Sequence, residues 1–121
     1  MLLVDAANVV GSRPTGWWRD RAEAARDFVD RVRAAAAASD LPTPVVVVLE
    51  GQARKGIEEG VDMSVEVVHA PGEGDDTMAT IAKTATEPVT LVSADRALGE
   101  VCRAAGAEVV GPSWLLDRLE Q

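Results

Sequence analysis

A chain of 121 residues is long enough for one domain with a single sizeable core, and 47% apolar and 26% charged residues exclude wholesale disorder. Twelve basic against twenty acidic side chains give a net charge of −8. That balance argues against tight, non-specific nucleic-acid binding, but not against an enzyme that meets phosphates through metal ions.

Leu2 to Val4 read as a buried first strand that delivers Asp5, and three residues later Asn8, to the end of a sheet. Gly11 to Gly16 is rich in turn residues and forms a loop. A helix is expected from about Trp17–Asp20 to Ala38, because Ala22, Ala25, Phe28, Val29, Val32 and Ala36 recur at helical spacing. Pro42 and Pro44 end it. Val45 to Leu49 is a β-branched run suited to a central parallel strand, with Glu50 at its end.

Gln52 to Asp62 reads as a loop or short helix, and Val65 to Val68 as a third strand closing at His69. Gly72 to Thr77 leads into a helix from about Asp76 to Thr84, and one of Asp75 and Asp76 is expected to cap it. Val89 to Val92 is a fourth strand followed by Ser93-Ala94-Asp95-Arg96, then a helix over Ala97 to Ala105 stopped by Gly106. Cys102, the single cysteine, falls on the apolar face of that helix, which fits a structural role and a reducing compartment. Glu108 to Val110 is a fifth strand, and Pro112 opens a last helix whose Trp114, Leu115, Leu116 and Leu119 cover the sheet, an exposed part being able to serve a homodimer. The N-terminus has no secretory pattern and no apolar run approaches the ~20 residues that span a bilayer, so a cytoplasmic protein without membrane contact is expected.

Alternation of strands and helices predicts an α/β fold, a three-layer sandwich around a mostly parallel sheet of about five strands, in one domain over residues 1–121. In such a sheet Asp5, Asp75, Asp76 and Asp95 share the C-terminal edge. Carboxylates converging there repel unless a cation neutralises them, and Mg²⁺ or Mn²⁺ suits an all-oxygen donor set, whereas no Cys/His spacing suits zinc. Such ions polarise a phosphoryl oxygen and activate water. Asn8 and Ser93 could orient water or phosphate, and Arg96 and Arg13 could contact substrate phosphate. Trp17 and Trp18 suit packing at the helix start better than base stacking, and His69 and Glu50 read as structural or solvated. Gly-x-Gly-x-x-Gly, a P-loop and a Gly-x-Ser-x-Gly elbow are all absent.

Asp5-x-x-Asn8 at the end of a first strand, Gly74-Asp75-Asp76 opening a middle helix, and Ser93-Ala94-Asp95-Arg96-Ala97-Leu98 after a strand resemble the PIN-like nuclease superfamily. The likeness is nearest to its NYN branch, which includes the YacP-like bacterial ribonucleases, and it spans nearly the whole chain. It implies a ribonuclease holding Mg²⁺ or Mn²⁺, with Asp5, Asp76 and Asp95 catalytic and Asp75 or Asp76 as the middle ligand. Two departures bear on the substrate. The basic surface is sparse, and Ala6-Ala7 stand where a glycine or tyrosine is often found. The expected substrate is therefore RNA or a nucleotide. Competing readings are a phosphohydrolase of small phosphate esters on the same site, and a non-catalytic module that binds RNA or protein.

Overall fold

The protein, described here over residues 1–120 of a computed structural model, builds its sheet from the apolar runs of the sequence. Among the described residues the strands are β1 (Leu2–Asp5), β2 (Val45–Leu49), β3 (Gly60–Asp62), β4 (Val65–His69), β5 (Thr90–Val92) and β6 (Glu108–Val110). The helices are α1 (Ala6–Gly11), α2 (Arg21–Ala37), α3 (Gly74–Thr84), α4 (Arg96–Ala104) and α5 (Pro112–Leu119). Strand order across the sheet is β3-β4-β2-β1-β5-β6, and every pairing is parallel except that of β3 with β4.

The core divides by the period-two alternation of strand side chains. Leu2 and Val4 of β1, with Val45, Val47 and Leu49 of β2, face Phe28, Val29 and Val32 of α2 and Leu115 and Leu116 of α5. Leu3, Val46, Val48 and Leu91 face the other way, onto Met78 and Ala82 of α3 and Leu98 and Cys102 of α4. Helices on both faces of a mostly parallel sheet make the three-layer α/β sandwich that the alternation of elements predicts.

Two elements differ from the sequence reading. The sheet has a sixth strand, β3, where a loop or short helix was expected; only Gly51–Lys55, a 3-10 turn, matches the helical alternative. Every residue of β3 is exposed, so its Gly-Val-Asp carries none of the apolar pattern by which a strand is recognised. It exists because Met63, at φ 57°, turns the chain back onto β4 at the sheet edge. The second is α1, which fills the stretch between the first strand and the expected loop and takes in Gly11, that loop's first residue. Asp5 caps it, its Oδ1 accepting the Asn8 N–H at 3.3 Å, so the Asp-x-x-Asn spacing is that of a cap and its third helical residue.

Topology then places the site. β1 lies between β2 and β5, and the chain leaving β1 enters α1 on one face while the chain leaving β5 enters α4 on the other. Connections departing to opposite faces open a crevice between the two strand ends, which is where open α/β sheets bind ligands.

Candidate functional site

Asp5 ends β1 inside this crevice, with 5% of its surface exposed. A buried carboxylate is costly without donors, and both of its oxygens have one. Asn8 N–H donates to Oδ1, and the Ser93 hydroxyl donates to Oδ2 at 2.8 Å. Ser93, itself 3% exposed, follows β5, and its Oγ accepts the Asp95 N–H at 3.1 Å. Asn8 Oδ1 accepts the Ala94 N–H at 2.8 Å, tying α1 to the same turn. Asp95 caps α4 by accepting the Leu98 N–H at 3.1 Å. One hydrogen-bonded frame thus joins the ends of β1 and β5 and the starts of α1 and α4.

A second pair of acids meets this frame from the β2 side. Glu50 follows β2, and its Oε2 accepts the Gly74 N–H at 3.1 Å. That bond satisfies one of the unpaired donors at the start of α3. Neither Asp75 nor Asp76 caps this helix: Glu73 occupies the cap position without a side-chain bond, and Glu50 supplies an acceptor from another strand.

The charges of these groups reach one another. Burial pushes the Asp5 carboxyl above its ordinary value, the Ser93 and Asn8 hydrogen bonds oppose the rise, and Asp75 and Glu50 add to it by repulsion. Asp75 is raised by burial first, then by repulsion from Asp95, Glu50, Glu73 and Asp76. Asp5, Glu50, Asp75 and Asp95 therefore form one electrostatic group, although they come from four separate segments.

The adjacent acids of the middle helix diverge. Asp75 is partly buried and turned to the group, while Asp76 is exposed and lines a separate hollow with Met1, Val46, Glu66, Val68 and Ile81. Arg96, at the first position of α4, is exposed. Arg13 pairs with Glu120 at 3.2 Å, both exposed, beside a hollow on the α2 and α5 side, and is not brought to the crevice. Glu50, which the sequence places at a strand end equivalent to that of Asp5 but leaves open to a solvated turn role, lies close enough to act on Asp5 and Asp75.

Four carboxylates offer the oxygen donors that a hard divalent ion takes, and their mutual repulsion is what such an ion relieves. Their chemistry fits Mg²⁺ or Mn²⁺. Their spacing as placed is more open: among the described residues no three His, Cys, Asp or Glu side chains stand close enough to enclose a metal ion. Beside the group lies a cavity of about 550 Å³ lined by Trp17, Arg21, Glu50, Arg54 and Glu73 among others. Among the described residues no helix is long and apolar enough to cross a membrane.

No protein-family model and no curated protein matches the chain. Among solved structures the chain is similar to Rae1 (YacP) from Bacillus subtilis, with a TM-score of 0.72 at 21% identity, over 99% of this chain and 73% of that one. A mutant form of the same protein gives a TM-score of 0.72 at 20% identity, over 98% of this chain and 74% of that one. Likeness at such identity is a likeness of fold, and the chain has a YacP-like fold.

Proposed function

We propose that this YacP-like fold is a PIN-like, NYN-type hydrolase of phosphodiester bonds, acting on RNA with Mg²⁺ or Mn²⁺. The observation that carries the reading is the meeting of acids from four segments at the crevice: the Ser93 hydroxyl bonds Asp5 and accepts the Asp95 N–H, Glu50 bonds the start of α3, and Asp75 feels repulsion from Asp95 and Glu50. These residues would hold the ion, with Glu50 added to the set that the motifs suggest and Asp75 taken in place of Asp76. When bound, the ion supplies Lewis-acid polarisation of a phosphoryl oxygen and a more acidic water.

The chain's own residues fix the ligands. Ser93 holds one Asp5 oxygen through its hydroxyl and the Asp95 backbone through its lone pair, so the two carboxylates keep a set relation. Asn8, bonded through its side chain to the Ala94 N–H, orients the turn that carries Asp95, a positioning role rather than a contact to phosphate. Glu50 anchors the start of α3 and with it Asp75.

The test is Mn²⁺ titration of the full chain by calorimetry, followed by incubation of the loaded protein with single-stranded RNA. Saturable binding and metal-dependent cleavage, both lost in Asp95→Asn, are expected. No binding at millimolar Mn²⁺ overturns the reading and favours the non-catalytic module, to which the open spacing of the acids lends support. A second reading, hydrolysis of nucleotides or small phosphate esters on the same carboxylates, draws on the net charge of −8, which disfavours long polyanions. Turnover of nucleoside triphosphates in preference to RNA would establish it. A cytoplasmic location and a homodimer through α5 complete the proposal; sedimentation of the purified chain tests the latter.

A further inference from the structure

On the β2 side, sharing Glu50 with the acidic group, lies the cavity of about 550 Å³, within the range of about 300–1,000 Å³ typical of small-molecule sites. Its apolar wall comes from three segments: Ala6 and Val10 of α1, Ala24 and Ala25 of α2, and Leu49 and Ala53 at and after the end of β2. Alanine dominates this wall, so helix, strand and turn approach without a large side chain to fill the space between them. Trp17 supplies an aromatic surface, half-buried, with the Arg21 guanidinium 5.3 Å from its ring centroid. Arg54 supplies a second guanidinium. Two of its bonds, Nε to the Gly51 carbonyl at 3.2 Å and Nη1 to the Ala70 carbonyl at 3.3 Å, hold it against the rim. A guanidinium has five N–H donors, so Arg54 keeps donors for a ligand.

The cavity and the acidic group share one residue. Glu50 lines the cavity and also repels Asp5 and Asp75. A ligand spanning both must therefore present an anionic centre at the carboxylates, reachable through a cation, and a flat apolar body with polar edges in the cavity. In a protein of net charge −8, a lining in which Arg21 and Arg54 balance Glu50 and Glu73 around a tryptophan suits such a body.

We propose that this cavity seats one nucleoside unit of single-stranded RNA, the one adjoining the phosphate at the carboxylates, with its base against Trp17 and its polar edge at Arg21 and Arg54. The position of the phosphate rests on the hydrolase reading above. A base paired in a duplex cannot enter such a recess, so the cavity selects unpaired strands. Free nucleotides carry the same recognition chemistry, and the experiment separates the two sources.

The experiment measures fluorescence anisotropy of a labelled single-stranded hexaribonucleotide with the full chain in millimolar Ca²⁺, a hard cation that oxygen ligands accept in place of Mg²⁺ or Mn²⁺ and that activates bound water less. Unlabelled adenosine monophosphate competes, and the same hexamer annealed to its complement serves as the duplex probe. Trp17→Ala removes the aromatic surface, and Ala7→Leu adds bulk at an exposed residue of the cavity lining. Each is expected to weaken single-strand binding about tenfold, with circular dichroism unchanged, and the duplex is expected to bind at least about tenfold more weakly than the single strand. Tighter binding of hexamer than monophosphate supports RNA as the source; equal affinity retains the nucleoside pocket and reassigns it to free nucleotides. Hexamer binding unaltered by both variants, or no saturable binding of either probe, overturns the proposal. Binding of the hexamer by wild-type protein without Mn²⁺-dependent cleavage would defeat the hydrolase reading alone.

Discussion

The hydroxyl of Ser93 donates to Asp5 Oδ2 at 2.8 Å from 88 residues away in the chain, in a site where both side chains are more than nine-tenths buried. Ser93 Oγ in turn accepts the Asp95 N–H, so one serine connects the two aspartates that end β1 and follow β5.

Ser93→Ala removes the donor to a buried carboxylate and leaves the Asp95 N–H without its acceptor. Hydrogen bonds to charged groups contribute about 1.5–3 kcal/mol, and a loss of that order is expected in urea unfolding at pH 7. A change below about 0.5 kcal/mol would show that water replaces the hydroxyl without cost.

Asp75→Asn is expected to raise the melting temperature at pH 7 in EDTA. The carboxyls of Asp5 and Asp75 titrate above their unfolded value of 3.8. Between that value and the raised native one, the folded state binds more protons than the unfolded state, so stability falls as pH rises through the window and stays reduced above it. The advantage of Asp75→Asn should therefore shrink as pH falls toward 3.8. Calorimetric scans across pH 3.5–7 check the sign; a melting temperature at or below wild type at pH 7 would contradict the raised titration.

Asp95→Asn and Asp76→Asn should separate by function. Asparagine caps a helix about as well as aspartate, so Asp95→Asn keeps α4 capped while removing one carboxylate from the group. A loss of Mn²⁺-dependent cleavage on the order of 100-fold is expected. Asp76 is exposed toward another hollow, and Asp76→Asn should leave cleavage within about twofold. Equal losses in both variants would restore Asp76 to the site.

Gly56→Ala tests the seat of the cavity wall. An added Cβ at Gly56 meets the Ala22 carbonyl oxygen of α2, which is backbone and cannot turn away. Overpacking of this kind costs about 1–3 kcal/mol, occasionally more. The Arg26 Nε bond to the Gly56 carbonyl, 3.1 Å, would be displaced with it. Denaturant unfolding should show the loss, and an unchanged midpoint would mean that the 3-10 turn slides without resistance.

The layers are legible in the amino-acid sequence. Val45–Leu49 reads as a strand from its β-branched run, and α2 from apolar residues at helical spacing, because burial imposes those periods locally. The sequence also placed Asp5 and Asp95 at one sheet edge, since a parallel sheet puts strand ends and helix starts together. It did not show β3, which carries no apolar pattern and owes its existence to pairing with β4. The fold, not the local pattern, leaves Asp75 partly buried near Glu50 and Asp95, and Asp76 exposed, because neighbouring residues on a helix point about 100° apart and the direction of each is set by how α3 packs on the sheet. It likewise brought in Glu50, whose role depends on a bond to Gly74 across 24 residues, and sent Arg13 to Glu120 on another surface. Local pattern specifies which segments are buried; the partners of a side chain at a segment's end are fixed by contacts made far away along the chain.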